Sequence, residues 1–287
     1  MQDKLSFETF GLDPRVNVGV RAAGYEQPTP IQEQTIAEAM TGRHVLGLAQ
    51  TGTGKTAAFV LPILHRLLEG QGPLGQRHHG RGTKRKTRAL VVAPTRELAE
   101  QINDEFRTLG QATGLRSATV YGGVGFQPQI EALRGRADII VACPGRLIDH
   151  MERGNADLTN VEVLVLDEAD QMLDMGFIHA IRAIARLLPD ERQTLLFSAT
   201  MPSAIVGLSR SHLTQPVNIR AEAHDAEMTV PDTTQFVYQA HDLDKPEIVA
   251  RIIQADHAGK VMVFTRTKRA AQRLADDLEE RGFSATS

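Results

Sequence analysis

The sequence predicts an open α/β fold with a mostly parallel central sheet flanked by helices, and three observations carry that prediction. Short apolar runs alternate with longer stretches of helical spacing. Such runs, buried on both faces and joined through helices, mark parallel strands with crossover connections. A glycine-rich turn, "AQTGTGKTAAF", lies between the first run and the next helical stretch. The apolar run 163–166 ends on the carboxylates Asp167, Glu168 and Asp170. In open α/β sheets, ligands gather beyond the carboxyl ends of the strands, where both features fall.

Taken in order, the expected strands are 45–49, 89–93, 117–120, 138–142, 163–166 and 194–197. Each is a short run rich in Val, Ile, Leu or Ala, bounded by turn signals. Apolar spacing predicts crossover helices over 57–68, 96–109 and 178–187. Residues 71–88 break the pattern with Gly, His, Lys and Arg and almost no apolar residue, which predicts a solvated loop. Within it, 76–88 holds six Lys/Arg and no acid. It reads either as an arm for nucleic acid or as a charged loop with no particular ligand.

After Leu213 helical periodicity fades and two prolines appear, so residues 221–232 are expected to link two domains. The domains are then 1–220 and 233–287. In the second, the pattern restarts as strand 235–240, helix 245–256, strand 261–265 and helix 268–280. Two strand–helix units make a thin core for an independent domain, so this part reads as the opening portion of a larger one.

Composition narrows the class. Of 287 residues, 41% are hydrophobic, enough for a sizeable core, and the net charge of -3 gives no whole-chain argument for a polyanionic partner. A single cysteine, Cys143, excludes an internal disulfide and a Cys-rich zinc site. With no long apolar segment and no apolar targeting stretch after Met1, the expected location is cytoplasmic. His78 and His79, adjacent in the basic loop, are weak evidence for a metal.

The glycine-rich turn has the chemistry of a phosphate site. Gly52 and Gly54 allow a tight turn, so that backbone N–H groups from Thr51 through Thr53 and on to Ala57 surround phosphate oxygens. Lys55 reaches the β and γ phosphates, and the Thr56 hydroxyl holds Mg2+. The first glycine of the usual pattern is replaced by Ala49. Asp167, at the end of a buried strand, is suited to bind Mg2+ directly or through water, and Glu168 to deprotonate an attacking water. Lys55, Asp167 and Glu168 are therefore the expected catalytic groups. A phosphate loop does not choose its base. The Gln32 amide matches the N6/N7 edge of adenine and Phe7 offers a stacking face, although in isolation Gln32 reads as an ordinary helix residue.

Several further stretches complete a recognisable set: "GYEQPTPIQ" with Phe7 upstream, "AQTGTGKT", "PTRELA", Gly122–Gly123, "CPGR", "DEAD", "SAT" and "VMVFTRTK". In this order the chain resembles a DEAD-box ATP-dependent RNA helicase, most like the compact bacterial RhlE-type group, over nearly its whole length. The resemblance implies a RecA-like P-loop NTPase domain followed by an incomplete second RecA-like domain, with ATP and Mg2+ as ligands and RNA as partner. It implies that Phe7 stacks on adenine and Gln32 reads its edge, with Pro28 and Thr29 shaping the pocket. Asp170 is expected to bond the Ser198–Thr200 segment and couple nucleotide state to domain closure.

By the same resemblance, Pro94, Thr95, Arg96, Gly122, Gly123, Pro144, Gly145 and Arg146 line an RNA backbone track. The chemistry agrees: glycines permit close approach, Arg146 offers charge-assisted bonds to phosphate, and such contacts carry no base code. Cys143 stands where many relatives have threonine. The family's "HRxGR"-type segment does not occur among these residues. The expectation is therefore that the chain binds adenine nucleotide but is impaired in turnover. A DNA-stimulated NTPase, an ATP-gated RNA clamp and a non-enzymatic nucleotide- or partner-binding module are the competing readings.

Overall fold

The computed structural model describes residues 6–50, 52–69, 86–134, 137–220, 236–241, 243–255 and 260–287. Chain contacts divide it into two compact units, Met1–Asp225 and Ala226–Ser287. The expected linker, 221–232, and residues 76–85 of the basic loop lie outside the described residues.

The first unit is built on seven strands: β1 (Val45–Leu48), β2 (Ala89–Val92), β3 (Ser117–Val120), β4 (Ile139–Ala142), β5 (Val163–Leu166), β6 (Gln193–Ser198) and β7 (Val217–Arg220). They lie side by side in the order β3-β4-β2-β5-β6-β1-β7, and every pair is parallel. The helices are α1 (Pro14–Ala22), α2 (Pro30–Met40), α3 (Lys55–Leu68), α4 (Arg96–Leu109), α5 (Phe126–Arg134), α6 (Pro144–Glu152), α7 (Ala169–Asp174), α8 (Ile178–Leu187) and α9 (Ser203–His212).

Strand periodicity of two divides the core into two layers. Val45, Val91, Val141, Val165 and Phe197 face one layer, which they share with Ile36, Phe59, Leu64, Ile102 and Phe106 of α2, α3 and α4. Leu46, Leu90, Ile140, Leu164 and Leu196 face the other, with Leu147, Met172, Ile181, Ile184 and Leu208 of α6 to α9. The central strands are buried on both faces, which is why they read as continuous apolar runs. At Gly47 the sheet leaves no room: a Cβ there would come within 2.5 Å of the Phe197 ring.

Five expected strands appear at or within one residue of their bounds, and 194–197 is longer by one residue at each end. Two expectations need correction. Residues 217–220, expected to lead into the linker, form β7, paired with β1. Edge position explains this, because β7 is half exposed and its apolar signal is only Val217 and Ile219. Conversely, 236–240 and 261–265 form no strand. Phe236, Val237, Met262 and Phe264 are instead largely exposed. Alternating apolar residues make a strand only when a neighbour supplies the ladder and a layer covers the face.

Among its described residues the second unit forms a pair of helices, α10 (Lys245–Ala255) and α11 (Lys268–Glu280). They bury Ala250, Ala275 and Leu278. Glu247 of α10 pairs with Arg251 and with Arg281 just beyond α11. Thr267 caps α11 by accepting from the Ala270 N–H.

Candidate functional site

Among the described candidates of the first unit, all but Phe7, Pro28, Thr29 and Gln32 lie at or just past the carboxyl end of a strand. The sheet order sorts them into two neighbouring groups. Loops after β1, β5 and β6 carry the glycine turn and the carboxylates, and those after β2, β4 and β3 carry the glycine pair and the arginines.

In the first group, Gly52 (φ 83°) and Gly54 (φ 90°) adopt the left-handed backbone that the turn requires. Thr51 lies outside the described residues. Lys55 opens α3 and is buried, its Nζ donating to Ala49 O at 3.0 Å. Thr56 follows in the first turn, half-buried, and Ala57 packs into the core. Thr53 Oγ1 donates to Gln50 O at 2.9 Å.

The turn is tied to the residues before and within α2. Thr29 Oγ1 donates to Thr53 O at 2.9 Å, and Gln32 Nε2 donates to Gly54 O at 3.2 Å. Gln32 Oε1 accepts from the Thr29 N–H at 2.9 Å. Sequence reasoning gave this amide to adenine; here both of its ends are engaged within the protein. Pro28 sits half-buried beside Thr29. Phe7 also departs from its expected place. It is 3% exposed, stacked on Tyr25 at 5.8 Å and edge-on to Phe10 at 6.1 Å, so it offers no open face. Apolar rings are drawn into whatever core lies beside them.

Asp167 follows β5 and is 2% exposed, its N–H donating to Val92 O and its Oδ1 accepting from Glu168 N at 3.0 Å. Burial pushes its pKa up to about 6, against the pull of nearby Lys55. An undercompensated buried carboxylate is the kind of ligand a divalent cation satisfies. No three His, Cys, Asp or Glu side chains cluster for a metal among the described residues. Mg2+ is commonly held by one or two protein oxygens, substrate phosphates and water. Glu168 has φ 51° and ψ 52°, a left-handed backbone without glycine. Positions of this type cost about 1–3 kcal/mol and persist where the surroundings fix them.

Asp170, in the first turn of α7, reaches across to the segment after β6. Its Oδ2 accepts from Thr200 N at 2.9 Å and from Thr200 Oγ1 at 2.8 Å. Ser198 Oγ closes the segment by donating to Thr200 O at 2.7 Å. Burial acts to raise the Asp170 pKa, but the hydrogen bonds outweigh it and hold the carboxyl below its usual value. Lys55, Glu168, Asp170 and Ala199 line one open cleft of about 400 Å³.

In the second group, Pro94 is buried and Thr95 caps α4, its Oγ1 accepting from Leu98 N at 3.2 Å. Arg96 is exposed, with its guanidinium 5.0 Å from the centre of the Tyr121 ring. Gly122 and Gly123 are exposed, and a Cβ on either would meet nothing within 4 Å. Pro144 is buried at the start of α6, and Gly145 is open.

Arg146 is less free than its sequence suggested. Only 12% of its side chain is exposed; it donates to Val124 O at 2.9 Å and lies 4.1 Å from the Phe126 ring centre. Cys143 precedes α6, and burial pushes its thiol up to about 11, with Glu97 adding to the shift, which fits packing rather than nucleophilic chemistry. Tyr121 and Phe126 were missed by sequence reasoning. The available signal was their position, one aromatic on each side of the glycine pair in "YGGVGF".

A glycine turn opening α3, a buried carboxylate two strands away and a bridge from Asp170 to the next strand end define a P-loop nucleotide-binding domain of RecA-like α/β architecture. The DEAD/DEAH box helicase family model matches residues 29–207, and the chain belongs to that family. Over 98% of its length it is 41% identical to the DEAD-box ATP-dependent RNA helicase CshA of Geobacillus kaustophilus, covering 57% of that protein. Over 97% it is 41% identical to the ATP-dependent RNA helicase CshA of Listeria monocytogenes, covering 51%. The crystal structure of a DEAD box protein from the hyperthermophile Methanococcus jannaschii matches with a TM-score of 0.68 and 32% identity, over 98% of this chain and 72% of that one. The chain spans about half the length of the curated relatives it matches.

Proposed function

We propose that this chain is the nucleotide- and RNA-binding part of an ATP-dependent RNA helicase, acting in the cytoplasm on RNA without regard to sequence. The observation that carries the reading is the division of one sheet edge. A phosphate turn and carboxylates occupy three strand ends, and glycine- and arginine-bearing loops occupy the three next to them. Membership of the family and the names of its relatives support the same reading. The RhlE-like subgroup is proposed on the motif set alone, since the relatives named above are called CshA.

In the proposed reaction Lys55 leaves Ala49 O and pairs with the β and γ phosphates, while backbone N–H groups of residues 52–57 surround them. Thr56 and Asp167 would hold Mg2+, which when bound neutralises phosphate charge and aids in-line displacement. Glu168 orients the attacking water and accepts its proton. Gln32 exchanges Gly54 O for the adenine edge, with Pro28 and Thr29 at the base. The bridge from Asp170 to Thr200 lies between the nucleotide and the segment after β6, the place from which nucleotide state is passed to domain closure. RNA lies across Pro94–Arg96, Gly122–Gly123 and Pro144–Arg146, held by its backbone. We place the domain boundary within 221–232.

These 287 residues, assayed alone, are proposed to bind adenine nucleotide but turn it over slowly, since no "HRxGR" segment is among them. Steady-state ATP hydrolysis with and without single-stranded RNA, comparing the chain with Glu168→Gln, tests this together with direct nucleotide and RNA titrations. Near-background rates in both proteins with nucleotide binding intact are expected. RNA-stimulated turnover abolished by Glu168→Gln would establish the role of Glu168 and overturn the slow-turnover claim. Failure to bind either ligand would overturn the functional reading itself.

A further inference from the structure

The turn between β3 and α5 carries an aromatic residue at each end, Tyr121 and Phe126, and each ring lies under one arginine of the proposed RNA track. Arg96, at the start of α4, sits 5.0 Å from the Tyr121 ring centre. Arg146, in the first turn of α6, sits 4.1 Å from that of Phe126. Arg153, at the far end of α6, meets the same Phe126 ring at 4.4 Å. The ring is thus flanked by cations two helical turns apart on one face of α6.

The turn itself is anchored to the same elements. The Tyr121 hydroxyl bonds Glu100 of α4, and Gln129 Nε2 donates to Tyr121 O at 2.9 Å. Arg146 donates to Val124 O at 2.9 Å. The strand end and the helices on either side therefore fix the turn at Tyr121, Val124 and Phe126. Gly122, Gly123 and Gly125, lying between these points, leave its surface open.

We propose that Tyr121 and Phe126 are positioning residues: their rings hold Arg96 and Arg146 in place, so that the glycine turn and both arginines meet RNA as one preformed surface. A guanidinium over an aromatic face is attracted by the ring quadrupole. An arginine already ordered loses less freedom on binding than one that must be fixed by its ligand. Arg146 also anchors the turn through its bond to Val124 O, which accounts for its low exposure. The inference rests on the RNA reading above and adds to it the two residues that preorganise the track.

The test is fluorescence anisotropy of a labelled single-stranded oligouridine with the 287-residue chain, Mg2+ and a non-hydrolysable ATP analogue, over a series of salt concentrations. Phe126→Leu and Tyr121→Leu are each expected to weaken RNA binding about three- to tenfold. Each should also flatten the dependence of log K on log salt by about 0.7, the effect of one lost phosphate contact on a single strand. Phe126→Tyr and Tyr121→Phe, which keep the rings, should stay within about twofold of the parent. Adding Phe126→Leu to Arg146→Gln should cost nothing further, and ADP affinity should not move in any variant.

Ring-keeping variants as weak as the leucine variants would overturn the proposal. So would full additivity with Arg146→Gln, unchanged binding in the leucine variants, or a parallel loss of ADP affinity. If the parent chain binds no RNA, the RNA reading fails and this inference with it.

Discussion

At the ends of β1, β5 and β6 several polar side chains are already paired with the protein; at the ends of β2, β3 and β4 glycines leave the surface open and arginines rest on rings. Lys55 lies on Ala49 O, Gln32 on Gly54 O, Thr29 on Thr53 O and Asp170 on Thr200. A nucleotide entering the first region must replace some of these bonds, so binding there is an exchange and its net gain is small per contact. A ligand approaching the second region finds a surface that needs little rearrangement. On the proposed reading, the conformational response belongs to the nucleotide site and the steady grip to the neighbouring loops.

The largest expected effect breaks the first region. Lys55→Ala removes the cation that would trade a carbonyl for phosphate, and a charge-assisted contact worth up to about 3 kcal/mol corresponds to about 100-fold in affinity. Fluorescent-nucleotide titration should register that loss, while RNA affinity measured without nucleotide should be unchanged.

A matched pair of glycines sharpens the comparison. Gly54 and Gly123 have similar left-handed backbones, with φ of 90° and 81°. An added Cβ at Gly54 would meet Gln32 Nε2 at 2.6 Å and Thr29 Oγ1 at 3.2 Å, but at Gly123 it meets nothing within 4 Å. Gly123→Ala should therefore cost only the backbone term, about 1–2 kcal/mol of stability in chemical denaturation. Gly54→Ala should add to that a displaced Gln32 and a fall in nucleotide affinity of about tenfold. Equal effects at the two positions would mean that Gln32 does not brace the turn.

Asp170→Ala probes the bridge to β6. Losing two hydrogen bonds to a partly exposed carboxylate should lower stability by about 1 kcal/mol. Thr200→Ala, measured in the same denaturant series, should be non-additive with it.

The smallest effect is with pH. His44, His150 and His212 have pKa values lowered by burial, with nearby arginines adding to the effect. At these histidines the unfolded chain takes up protons first, so their contribution to stability is lost as pH drops below the ordinary histidine value of 6.5, while Asp167, pushed up to about 6, acts in the opposite sense. Thermal melts at pH 7.5 and 5.5 should record a lower midpoint at the acid end. His150→Gln should shrink that difference, since His150 is fully buried against Gln129.

Local chemistry explains which of these features could be read from the sequence. The sheet was legible because doubly buried strands are apolar at every position, and the phosphate turn because Gly52, Gly54 and Lys55 sit between a strand and a helix. β7 was not, because an edge strand needs only Val217 and Ile219 to be apolar. The segments 236–240 and 261–265 have the composition of strands, but pairing is a property of neighbours that composition does not supply. Partners were hidden for the same reason. Nothing near Gln32 in sequence announces Gly54, and nothing near Arg146 announces Phe126, twenty positions earlier.

The order of strands also sets a schedule. β2, β3, β4 and β5 are neighbours in space and emerge from synthesis within one stretch of chain, whereas β1, among the described residues, pairs with β6 and β7. Val45 meets Leu195, so about 150 residues separate the strand that leads into Lys55 from its first ladder partner. Loop-closure entropy makes such distant pairings slow, and an unpaired apolar strand is exposed to association until they form. A nascent chain would complete the arginine-bearing half of the sheet first, and it would gain a nucleotide pocket only when the last third of the first unit had been made.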